Sequence, residues 1–112
     1  MAAKRYFNLD ALMAEARRGN LELHVIFFLG PDPFELPSGV TQLEAMRTTM
    51  RVVKRATFES GIEHFGFRGY WNLGCFSVSG PVALIEAVLR QPEVVGAAPG
   101  DRGYPNIGLA IA

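Results

Sequence analysis

The sequence has 112 residues, 49% of them hydrophobic and 20% charged, and its 11 Lys and Arg residues balance 11 Asp and Glu residues for a formal net charge of zero. This composition lies far from that of disordered chains and predicts one folded α+β domain, residues 1–112, with a core that needs neither disulfides nor a structural metal. Charge balance argues against a protein that coats polyanions, because non-specific nucleic-acid affinity comes from an excess of Lys and Arg, but it leaves room for a local basic patch.

Cys75 is the only cysteine, so no intramolecular disulfide can form. That points to a reducing compartment, with the cytoplasm as the expected location. Residues 1–20 lack the continuous apolar stretch of a signal peptide and carry Asp10 and Glu15, so they are expected to hold a helix instead. The longest strongly apolar run, residues 25–29, is far short of the roughly 20 residues that cross a bilayer.

Residues 8–18 form the first predicted helix. Asn8 or Asp10 is placed to cap it, Leu9, Leu12, Met13 and Ala16 share a face, and Gly19 follows as a stop. Residues 21–29 alternate as a strand, apolar on both sides toward the end, and are expected at the centre of a sheet. Three prolines and two glycines make residues 30–39 a stiff connection.

Thr41 and Glu44 have capping-box spacing, and a helix is predicted over residues 41–60, ending at Gly61. Leu43, Met46, Met50, Val53 and Thr57 recur at steps of three and four and are read as its buried face. Residues 63–79, punctuated by Gly66, Gly69 and Gly74, suit two strands joined near Tyr70, Trp71 and Asn72. Gly80 and Pro81 open another helix, whose apolar face is Leu84, Ile85, Val88 and Leu89 and which ends by Pro92. Val94 and Val95 suggest a brief strand, residues 96–106 a loop, and residues 107–112 a final strand. The order is that of a ferredoxin-like split βαβ arrangement (β-α-β-β-α-β) over residues 21–112, an antiparallel sheet with an additional N-terminal helix over residues 1–20. Two helices would then cover one sheet face and leave the other open.

Arg47, Arg51, Lys54 and Arg55 recur at steps that place them on one side of the long helix. They are read either as a surface for an acidic partner or as a solvated face paired with Glu44 or Glu59. Residues 41–58 hold these four bases and one acid, Glu44, a local charge of +3, whereas residues 30–39 hold two acids and no base. Five of the twelve aromatic residues, Phe65, Phe67, Tyr70, Trp71 and Phe76, fall in the proposed hairpin. Tyr70 and Trp71 at its turn are candidates for partner contact or for folding back over the sheet edge.

Residues 65–70 invite comparison with the aromatic RNA-contacting signature of RRM domains, but that signature belongs on a third strand and these residues form the second, so RNA binding is not expected. If Leu23, Val25 and Phe27 face the helices, alternation puts His24, Ile26 and Phe28 outward, joined by His64, Gly66, Arg68, Cys75 and Ser77. His24, His64 and Arg68 are therefore the candidates for proton transfer or anion binding. Their spacing matches no metal motif, and the glycines match no nucleotide-binding loop, so no metal or cofactor is expected. The long loops bear Asp32, Glu35, Asp101, Arg102 and Tyr104 as further polar groups.

Together these features describe a small non-catalytic interaction or regulatory protein. It is expected to meet a protein partner with an acidic surface through Arg47, Arg51, Lys54, Arg55, Tyr70 and Trp71. Ile26 and Phe28 on the open sheet face make a homodimer through that face a further expectation. The alternative is a dimeric α+β-barrel enzyme or binding protein for a small apolar or aromatic ligand, which uses His24, His64 or Arg68.

Overall fold

A computed structural model of the chain describes residues 3–29 and 39–100, with side chains from residue 42 in the second segment. Strands β1 (Lys4–Arg5), β2 (Glu22–Leu29), β3 (Gly66–Tyr70), β4 (Cys75–Pro81) and β5 (Val94–Pro99) alternate with helices α1 (Leu9–Gly19), α2 (Gly39–Ser60) and α3 (Val82–Leu89). Of the expected connection over residues 30–39 only Gly39 is described, as the first residue of α2, and the final strand over residues 107–112 lies outside the described residues, as do Asp32, Glu35, Asp101, Arg102 and Tyr104.

The fold is mixed α+β, with a five-stranded open sheet in the order β1-β5-β2-β4-β3. Among the described residues this is one strand more than the four of the split βαβ arrangement. The additional one, β1, is only two residues long and runs parallel to β5, with Lys4 opposite Gly96. The other neighbouring strands are antiparallel. β5 continues through Gly96, Ala97 and Ala98, which had been read as the start of a loop. Small residues suit this place: a Cβ on Gly96 would sit 3.1 Å from the Tyr6 ring and 3.5 Å from that of Phe28.

β2 takes the central position its two-sided apolarity implied. Leu23, Val25, Phe27 and Leu29 are buried on the side facing the helices, and His24, Ile26 and Phe28 are half-buried on the other. Phe27 stacks on its cross-strand partner Phe76 at 5.3 Å between centroids, a pairing worth about 0.5–1.5 kcal/mol beyond the area buried. All three helices feed one core. α1 supplies Leu9, Met13 and Ala16, α2 supplies Val52 and Ala56, and α3 supplies Leu84, Ile85 and Val88. α3 is apolar almost all round because it touches both other helices as well as the sheet. Arg17 of α1 pairs with Glu86 of α3 at the rim.

The helix ends differ in detail from the expectation. Asn8 makes no side-chain cap and Asp10 pairs with Arg5 at 2.6 Å. Gly19 is the last helical residue, and the stop is Asn20, left-handed at φ 52°, whose N–H reaches the carbonyls of Ala16 and Arg17. α2 begins at Gly39, ahead of Thr41, so Thr41 is a helical residue and not the cap. β4 runs on through Pro81, which precedes α3 in an extended conformation.

The largest correction concerns which side of α2 is buried. Ala45, Thr49, Val52, Val53 and Ala56 face the core, whereas Leu43, Met46 and Met50 are 43%, 37% and 54% exposed. Of the expected buried face only Val53 is sealed, with Thr57 half-buried. The small side chains recur at steps of four, three and four from Ala45 to Ala56 and form the buried stripe of the helix. The long side chains point away from the core.

Candidate interaction face

α2 contains 22 residues and is about 33 Å long at 1.5 Å per residue. Its outward line reads Leu43, Arg47, Met50, Lys54 and Phe58, at steps of four, three, four and four. Every one is exposed, Phe58 to 88%. Met46 flanks this line on one side, and Arg51 and Arg55 flank it on the other. The basic stripe read from the sequence is therefore interleaved with the apolar residues that had been assigned to the core. The signal that could have revealed this was the rival small-residue periodicity of Ala45, Thr49, Val52 and Ala56.

The four bases are not equivalent. Arg55 pairs with Glu93, just before β5, instead of with Glu44 or Glu59. Partial burial works to raise the Glu93 carboxyl pKa, but the Arg55 hydrogen bond, a backbone hydrogen bond and the charges of Arg55 and Arg51 outweigh it and hold the group below its ordinary value. Arg51 reaches the Thr48 hydroxyl at 3.3 Å. Glu59 is engaged with Arg90 at 3.7 Å and with the buried Gln91 amide at 2.7 Å, a link between α2 and the residues that follow α3. Among the described residues, Arg47 and Lys54 make no ion pair, so their charge faces solvent. Where α2 ends, Lys54, Phe58, Ile62, Glu63 and Phe65 line an open groove of about 930 Å³.

The turn between β3 and β4 separates its two aromatic residues. Tyr70 ends β3 opposite Cys75, on the sheet side away from the helices, and is half-buried. Trp71 opens a 3₁₀ turn (Trp71–Leu73) and packs against the core, 6.3 Å from Phe67 between centroids. A Cβ on Gly69 would overlap its indole, so the glycine makes the space that the ring fills. The turn thus commits Trp71 to packing.

On the open sheet face, register sets His24 opposite Ser79, Ile26 opposite Ser77 and Phe28 opposite Cys75. The same register sets Arg68 opposite Ser77. His24 and Arg68 therefore share a face but belong to β2 and β3, with β4 between them and an offset of two residues along the strands, so their backbones are about 12 Å apart. His64 does not join them. It precedes β3 in non-strand chain and is exposed, because the strand begins only at Gly66. Burial pushes the Cys75 thiol from 9.0 up to about 11, which keeps it protonated and unreactive near neutral pH.

Among the described residues, no group of three or more His, Cys, Asp or Glu is placed to hold a metal. No described helix is long and apolar enough to cross a membrane. Comparison with protein-family models, with curated proteins and with solved structures found no match.

Proposed function

We propose that this is a small, non-catalytic interaction or regulatory protein of the cytoplasm that binds a protein partner with an acidic surface through the outward face of α2. One observation carries the reading: Leu43, Met46 and Met50 stand exposed on the helix that also presents Arg47, Arg51 and Lys54. Exposed long apolar side chains interleaved with bases suit a contact in which the apolar groups supply burial and the charges supply orientation and selectivity. At the level of fold, the antiparallel pairing of β2 with β4 and β5, and of β4 with β3, supports a ferredoxin-like split βαβ unit carrying β1 and α1 in front.

Affinity capture from native cells, with the R47E/K54E variant as the control, tests this reading. An acidic protein retained by the wild type and lost with the variant, at unchanged circular dichroism, is the expected result. The same proteins retained by both would overturn it.

A second reading, self-association through the sheet face turned away from the helices, draws on the row formed by Tyr6, Phe28 and Ile26, where Tyr6 meets Phe28 edge to face at 6.3 Å. It would also suit a barrel-type dimer with a small ligand. Sedimentation that shows a monomer at every concentration, unaltered by Phe28→Glu, would end it.

A further inference from the structure

The outward line of α2 has a spacing that selects its partner's conformation as well as its charge. Leu43, Met50 and Phe58 are seven and eight residues apart, which puts apolar groups about every 10–12 Å along the helix, with Arg47 and Lys54 between them. A second helix repeats its own side chains at the same interval, so it can set apolar groups against Leu43, Met50 and Phe58 and carboxylates against Arg47 and Lys54 in one register. An extended segment presents a given face about every 6.6 Å and falls out of step within two repeats. We infer that α2 docks an acidic amphipathic helix of about four turns, laid alongside it over residues 43–58. This inference rests on the interaction reading above and names its partner.

Charge excludes the nearest alternative occupant. Two copies of α2 packed antiparallel about a two-fold axis would bring Arg47 of one copy against Lys54 of the other, like charge on like. A bilayer is a poor match for a different reason. Arg47 and Lys54 stand on the same line as Leu43, Met50 and Phe58, so burying the apolar groups in hydrocarbon would carry the charges with them. A protein helix bearing carboxylates satisfies both sets of groups at once.

The test uses the full chain, labelled with ¹⁵N, and a three-heptad probe peptide with Leu at the two core positions of each heptad and Glu at the flanking ones. A peptide of the same composition in scrambled order and a Lys-for-Glu peptide serve as controls. The expected result is that the heptad Glu peptide binds at least about tenfold more tightly than the scrambled one, shifts the amide signals of residues 43–58, and loses that advantage with M50E and with R47E/K54E. Equal binding of the scrambled acidic peptide would overturn the helical inference while leaving the acidic-surface reading standing. Equal binding of the Lys peptide, shifts confined to the sheet, or no binding by either acidic peptide would overturn both. Phosphatidylserine vesicles that shift residues 43–58 when the Glu peptide does not would assign the face to membranes and overturn the inference.

Discussion

Thr49 and Met50 are neighbours in α2, yet Thr49 is sealed from solvent while Met50 is 54% exposed. The Thr49 hydroxyl has no hydrogen-bond partner. A polar group thus occupies the core while a long apolar one stands outside. Thr49→Val, which replaces the hydroxyl with a methyl of similar size, is expected to stabilise the fold by about 1 kcal/mol. Met50→Gln should change stability by less than about 0.5 kcal/mol. Urea denaturation of the two variants checks this, and a large loss from Met50→Gln would mean that the helix faces are reversed.

Trp71 depends on the absence of a side chain at Gly69. Gly69→Ala forces a methyl into the indole and should cost about 1–3 kcal/mol, with a change in tryptophan fluorescence as the ring is displaced. Trp71→Leu removes the obstacle, so the double variant should lose less than the sum of the two single losses. Additive losses would show that the ring and the glycine do not share the space.

Cys75 should be a slow nucleophile at neutral pH. With its pKa raised from 9.0 to about 11, the thiol stays protonated in the folded state while the unfolded thiol ionises near its ordinary value. The associated stability is intact below pH 9 and is lost as the pH rises from 9 toward 11. Alkylation by iodoacetamide at about pH 8 should be at least tenfold slower in the folded protein than in urea. Cys75→Ala should remove this alkaline component from the denaturation midpoint.

Glu93 behaves in the opposite sense. Its carboxyl pKa lies below the ordinary 4.5, so its contribution is complete above that pH and is lost as the pH falls through the lowered folded value. The Arg55 and Glu93 side chains are 46% and 26% exposed, so solvent screening limits the pair to about 0–1 kcal/mol. Arg55→Gln should move the Glu93 titration upward, as followed by carboxyl carbon shifts, and leave neutral stability nearly unchanged. A titration unmoved by Arg55→Gln would mean that other groups hold the carboxyl down.

Much of this architecture is legible in the residues. The alternation of β2, the extents of α1 and α2, the Gly-punctuated hairpin and the apolar stretch of α3 all carry strong periodic signals. β1 is too short to have a period, and β5 was cut short at Val95 because Gly96, Ala97 and Ala98 look like loop residues until the Tyr6 and Phe28 rings are placed beside them. On α2 the side-chain period was right but its phase was not. Two sets compete there, and the buried one is the smaller, which hydropathy alone undervalues. The candidate face was therefore half visible: Arg47, Arg51 and Lys54 were expected together on one side of the helix and are exposed there, whereas the exposed Leu43, Met46 and Met50 were assigned to the core. His64 fell away because one strand begins two residues later than its alternation implied.

Whether α2 is the binding face can be decided by a charge swap read by titration calorimetry. The wild type and R47E/K54E are each titrated with the Glu heptad peptide and with its Lys counterpart. The expected result is a crossed preference, in which the wild type favours the Glu peptide and R47E/K54E favours the Lys peptide, each by about tenfold or more. Identical preferences in the two proteins would show that Arg47 and Lys54 lie outside the contact and that the outward line of α2 is only a solvated helix face.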